Sequence, residues 1–191
     1  GLWLLQECRR TWEEEGGEWP YEDLQKMAEK AEPFPGIINP DDDRFLAPGD
    51  MPSRINEFLQ ETGQEPVEDK GSMVRLILEG LGFAYKAVLE QIHEVAGTTP
   101  EVLHLVGGGT QNELLNQFAA DATGMPVVTG PIEATAMGNV VMQALGAGQI
   151  SSLAEGRELV RKSCETTRYE PRDVETWAKK YREFTEIKDE T

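Results

Sequence analysis

The chain has 191 residues, 39% of them hydrophobic, and a formal charge of -17 from 35 acidic and 18 basic residues. That length and apolar content support one globular unit with its own core, while the acidic balance excludes a duplex or RNA partner, which needs a basic footprint. The same charge opposes polyanionic ligands unless local dipoles or a metal ion compensate.

No signal-peptide pattern and no apolar run of membrane-spanning length occurs in the sequence. Cys8 and Cys164 are the only cysteines. Two such residues define neither a disulfide framework nor a zinc site, and fit reduced thiols in a cytoplasm. His93 and His104 have no companion at ligand spacing, and His104 alternates with apolar neighbours as a strand residue does.

Taken in order, residues 2 to 15 form a first helix carrying Leu2, Trp3, Leu4, Leu5, Cys8 and Trp12, stopped by Gly16 and Gly17. No cap precedes it and Gly1 is not an initiator methionine, so the chain is expected to start inside a larger protein. Pro20 opens a second helix with Tyr21, Leu24, Met27, Ala28 and Ala31 at helical spacing, ended by Pro33 and Pro35. Phe34 to Met51 is rich in turn formers, with short extended pieces expected at Ile37-Ile38 and Phe45-Leu46. Asp41, Asp42 and Asp43 have the oxygen chemistry of a hard-cation site, but aspartates in such a segment shape turns, which is the reading adopted. A short helix with Ile55, Phe58 and Leu59 inward closes at Gly63.

Ser72 to Ala96 is the longest periodic segment. Met73, Ile77, Leu81, Ala84, Val88 and Ile92, flanked by Leu76, Leu78 and Val95, give it a wide apolar face. It is expected to brace a sheet. That sheet begins with Val102, Leu103, Leu105 and Val106, a short apolar run ended by Gly107, Gly108 and Gly109. Leu114, Leu115, Phe118, Ala119 and Ala122 then recur at helical spacing, and Thr110 with Glu113 suggests a capping box starting that helix at Thr110. A strand, a glycine loop and a helix start are the parts of a nucleotide site, because the loop lets a ligand touch backbone. A tight turn needs the same glycines, so this pattern alone leaves both readings open. A dinucleotide fingerprint fits poorly: its third glycine position is Asn112, and no acidic residue closes the next strand.

Met125 to Val128 reads as a second strand. In the following helix Glu133 complements the dipole in the first turn, and Ala134 and Gly138 suggest close packing on a strand. Gly146 and Gly148 end that helix, another begins near Ser151, Cys164 to Tyr169 reads as an edge strand, and Asp173 caps a last helix. Its inward face is expected to be Val174, Trp177, Ala178, Tyr181 and Phe184. Strands separated by helices make the chain α/β.

Four segments resemble the FGGY family of carbohydrate kinases, in its carboxy-terminal part and nearest the branch acting on rhamnulose. They are Gly1 to Gln6, Ile37 to Phe45, Val106 to Gln117 and Gly130 to Asn139, in family order. The resemblance implies an α/β fold that is part of an actin-like ATPase (ribonuclease H-like) domain. Residues 1–191 would then be the incomplete carboxy-terminal nucleotide-binding domain of a two-domain cytoplasmic sugar kinase. It implies ATP, Mg²⁺ held mainly by residues outside this chain, and L-rhamnulose or a related ketose as acceptor in the full-length enzyme.

Carried over by motif, Gly108 is an ATP contact, Gly107 and Gly109 shape its loop, and Asn112 lies near the adenine. Gln6 is a further ATP contact on the resemblance alone. An amide suits an adenine edge because it donates and accepts. Asp41 to Asp43, Asp121 and Glu133 match no family position, so no catalytic residue is nominated and the chain alone is expected to be inactive. The missing amino-terminal domain leaves a sheet edge open to self-association. The alternative is a non-catalytic interaction or regulatory module of actin-like fold.

Overall fold

In the computed structural model, which describes residues 2–190 (Glu190 only by its place in a helix), the elements follow the expected order. They are α1 (Trp3–Glu15), α2 (Tyr21–Lys30), α3 (Met51–Glu61), α4 (Lys70–Ala96), β1 (Leu103–Leu105), α5 (Glu113–Thr123), β2 (Val127–Thr129), α6 (Ala134–Gly146), α7 (Leu153–Ser163), β3 (Arg168–Tyr169) and α8 (Val174–Glu190). The chain is α/β, mostly helical, with one small mixed sheet in the order β1-β2-β3. β1 and β2 run parallel, Leu103 opposite Val127, and β3 pairs antiparallel with β2. Among the described residues β1 therefore has a partner strand on one side only.

Helix α4 is the spine. Asp69 caps it by accepting a bond from the Ser72 N–H, and Gly97 in a left-handed conformation ends it. Its amino-terminal half buries Met73, Val74, Leu76, Ile77, Leu78 and Leu81, each worth about 1.5–3 kcal/mol against exposure. Its principal packing partners are α2 and α5 rather than the sheet. The expected brace is thus indirect: α5 intervenes, with Ala119 and Ala120 against Val127 in a small separate core. The apolar face also stops short, since Val88, Ile92 and Val95 are exposed. Periodicity defines a face but not how much of it a neighbour covers.

Two devices seat α2. At Gly71 a Cβ would fall 2.8 Å from the Met27 carbonyl oxygen, so only glycine permits this approach of α2 to α4. One turn further, the Arg75 guanidinium donates to the Ala28 and Ala31 carbonyls, both at 3.2 Å, and to Glu79 at 2.8 Å. Glu79 is buried and also accepts the Phe34 N–H at 3.0 Å. Burial pushes its carboxyl up to about 7 against the pull of Arg75. Phe34, whose φ of 54° is unusual for a side-chain-bearing residue, lays its ring 5.1 Å from Trp177. Trp177 of α8 in turn contacts Phe83 and Phe118, so this aromatic cluster joins α4, α5 and α8.

Other expectations are corrected. Ile37 and Ile38 are buried but belong to no strand, and Asp43–Phe45 is a 3-10 turn, not an extended piece. Asp42 caps that turn through the Arg44 N–H and pairs with the Arg44 side chain at 2.9 Å. Glu133 is the residue before α6 and makes no side-chain cap. α6 buries no residue and a Cβ at Gly138 would meet nothing within 4 Å, so the proposed close packing of α6 on a strand is absent. α6 packs against α7 instead. The edge strand is shorter than Cys164 to Tyr169, and Val174 is exposed whereas Trp177, Tyr181 and Phe184 are buried.

Candidate functional site

The glycine loop departs from its expected form in a way that matters for the site. Gly108–Gln111 forms a 3-10 turn, and α5 starts only after Asn112, whose Oδ1 accepts the Leu115 N–H at 2.9 Å. Asn112, not Thr110, is the helix cap. The Thr110 hydroxyl instead donates to the Gly107 carbonyl at 2.7 Å, closing the turn on itself. Asn-x-x-Leu and Thr-x-x-Glu both offer a first-turn acceptor, and the extra 3-10 turn selects the later one.

Gly107 has φ 90° and ψ -177°, a region open essentially to glycine alone. Gly108 is different: its φ is not positive, and a Cβ there would meet nothing within 4 Å. It faces a cavity of about 660 Å³, within the range of small-molecule sites. On one side Leu2, just before α1, and Leu5 and Gln6 in its first turns contribute. The loop contributes Gly108, Gly109, Gln111 and Asn112, and the start of α5 contributes Glu113. The remaining wall is α2, through Tyr21, Glu22, Gln25, Lys26 and Glu29.

The structure therefore brings Gln6, Gly108, Gly109 and Asn112 to one cavity. Gly107 is not among its lining residues and acts through the shape of the turn. The Oδ1 of Asn112 is committed to its cap, so its Nδ2 is what remains for a ligand. A bare backbone surface at Gly108 beside two side-chain amides fits a flat heteroaromatic ring with an acceptor edge.

Sequence reasoning missed the α2 wall and Asn116. Asn116 is fully buried; its Nδ2 donates to the Thr110 carbonyl at 2.8 Å and lies 3.4 Å from the Tyr169 hydroxyl. It ties the glycine turn to β3, while its Oδ1 has no hydrogen-bond partner. The α2 wall carried a faint signal in two i, i+4 polar pairs. Lys26 donates to Glu22 at 2.6 Å and Gln25 to Glu29 at 3.1 Å. The Lys26 hydrogen bond holds the Glu22 carboxyl below its usual range, and Glu22 raises Lys26.

Residues set aside from catalysis have structural work. Asp121 is buried and accepts the Arg172 N–H at 2.7 Å and the Gln117 amide at 2.9 Å. Asp41, Asp42 and Asp43 line a shallow depression with Arg44 and Arg54. Among the described residues no group of three or more His, Cys, Asp or Glu could hold a metal ion, and no helix is long and apolar enough to cross a membrane.

A strand, a glycine turn, a capped helix and an adjoining cavity make up the candidate site, and the sequence places the chain in a family. Residues 1–147 match the FGGY family of carbohydrate kinases, C-terminal domain. The chain belongs to that family. It is 44% identical over 184 residues to the rhamnulokinase of Bacteroides thetaiotaomicron, covering 96% of this chain and 37% of that protein. To the rhamnulokinase of Bacillus subtilis it is 33% identical over 175 residues, covering 92% and 36%. The chain thus spans a little over a third of the length of these relatives.

Solved structures share the fold. The xylulose kinase of Rhodospirillum rubrum superposes with a TM-score of 0.68 at 18% identity, covering 97% of this chain and 36% of that one. The Plasmodium falciparum glycerol kinase with ADP gives 0.66 at 20% identity, covering 90% and 34%.

Proposed function

We propose that this chain is the nucleotide-binding, carboxy-terminal part of a cytoplasmic sugar kinase of rhamnose catabolism. The whole enzyme converts ATP and L-rhamnulose, or a related ketose, to ADP and the sugar 1-phosphate. The observation that carries the reading is the meeting of Gln6 with Gly108, Gly109 and Asn112 in one cavity, from motifs about a hundred positions apart. The rhamnulokinase relatives support the choice of acceptor.

Gly108 offers backbone to the adenosine, the amides of Gln6 and Asn112 address its edges, and Asn116 holds the turn beneath it. Phosphoryl transfer is mainly positioning and charge stabilisation, with a base that takes the hydroxyl proton. This chain supplies the positioning of the nucleoside. The base, the Mg²⁺ ligands and the sugar pocket belong to the amino-terminal remainder, and the free edge of β1 is where self-association of the isolated chain would occur.

The isolated chain then binds ATP with a dissociation constant on the order of 1 mM and phosphorylates no sugar. A coupled ADP-release assay tests this, with the 191-residue chain and the longer protein offered rhamnulose, fuculose, xylulose and glycerol. Turnover of rhamnulose by the longer protein alone supports the reading. Turnover by the short chain, or by neither protein with any acceptor, overturns it.

A further inference from the structure

Resting on the reading of this cavity as the nucleotide site, we propose that α2 decides which part of the nucleotide the cavity holds. It accepts the uncharged nucleoside and turns the polyphosphate away, so that the isolated chain prefers adenosine to ATP.

The lining carries three carboxylates, Glu22, Glu29 and Glu113, against one ammonium, Lys26. Lys26 is already engaged, with its Nζ 2.6 Å from Glu22. Its charge is therefore largely neutralised, and the cavity keeps a negative field from Glu29 and Glu113. Carboxylates only accept hydrogen bonds. The Gln25 amide donates its Nε2 to Glu29, which leaves its carbonyl oxygen as the group offered to a ligand. The α2 wall is thus a row of acceptors.

A ligand portion that suits this wall must donate. Ribose hydroxyls and an exocyclic amine do so, whereas an ionised phosphate presents acceptors and negative charge against the same groups. The opposite walls carry apolar Leu2 and Leu5, the Gln6 and Asn112 amides and bare backbone at Gly108, none of which supplies a compensating positive side chain. The phosphates must leave the cavity on a side that α2 does not form. Because α2 is held to α4 at Gly71 and through Arg75, it cannot swing aside to relieve the repulsion.

The test is a series of titrations of the 191-residue chain with adenosine, AMP, ADP and ATP in EDTA, followed by NMR shift changes at Gly108 and Gln25. Adenosine is expected to bind about fivefold more tightly than ATP, and the gap should narrow in high salt. The lining variants Glu29→Gln and Glu22→Gln should each narrow the adenosine-over-ATP preference about two- to fivefold, by removing repulsion of the phosphates and an acceptor for the nucleoside. ATP binding as tight as adenosine or tighter, or a preference indifferent to both variants, overturns the role of α2 while leaving the nucleotide site standing. Failure of all four ligands to shift either residue overturns both readings.

Discussion

Adjacent glycines in the loop should fail in different ways when given a methyl group. At Gly107 the backbone has φ 90° and ψ -177°, and a Cβ would meet nothing within 4 Å. Gly107→Ala therefore costs backbone strain without a clash, about 1–3 kcal/mol. For a chain of this size that lowers the melting temperature by about 2–12 °C. Gly108 has no positive φ and equally open surroundings, so Gly108→Ala should leave stability within about 0.5 kcal/mol of wild type. Its methyl would stand where a bound ring approaches the backbone, weakening adenosine about tenfold, or 1.4 kcal/mol. Thermal melts by circular dichroism and NMR titrations separate the two effects. If Gly108→Ala melts as low as Gly107→Ala, or binds adenosine as wild type does, the assignment of shape to one glycine and contact to the other is wrong.

Two more predictions concern the supports of the site. Glu79 has its carboxyl raised from 4.5 to about 7 by burial, so the folded chain binds more protons than the unfolded one between those values. Stability from this group is present below pH 4.5 and is lost as pH rises through 7, by at most about 3 kcal/mol. Urea unfolding at pH 5 and 8 should show that loss in wild type and a smaller one in Glu79→Gln; equal losses refute it. Asn116→Ala should cost about 1–3 kcal/mol through the orphaned Thr110 carbonyl. It should also speed amide exchange across Gly108 to Asn112, while unchanged exchange would show that Asn116 does not hold the turn.

Much of the fold was legible because its causes are local. The helical spacing of Met73, Ile77 and Leu81 and Pro20 before α2 fix elements without reference to the rest of the chain, whereas the caps of α4 at Asp69 and Gly97 came only with the structure. What failed depended on distant neighbours. Val88 and Ile92 carry the same signal as Ile77, yet both are exposed. Gly138 looked like a packing glycine and faces open space, whereas Gly71, unremarked in the sequence, is the glycine that lets two helices touch.

The same division runs through the site. Gly108 and Asn112 announce themselves by lying in one motif, and Gln6 was reached only through family resemblance. Tyr21, Gln25 and Glu29 become part of the cavity only once α2 has been docked on α4. Asn116 looks like any polar helix residue until burial shows that its amide carries the loop.

The anchoring of α2 makes the cavity a vise with one fixed jaw. One jaw is bolted to the core by a glycine contact and a guanidinium that grips two carbonyls and a buried carboxylate. The other is a surface turn of bare backbone with solvent beside it. Any tightening on a guest has to come from the turn and the α1 end, so the width of the opening is inherited from packing around Glu79, deep in the core and remote from anything the guest touches.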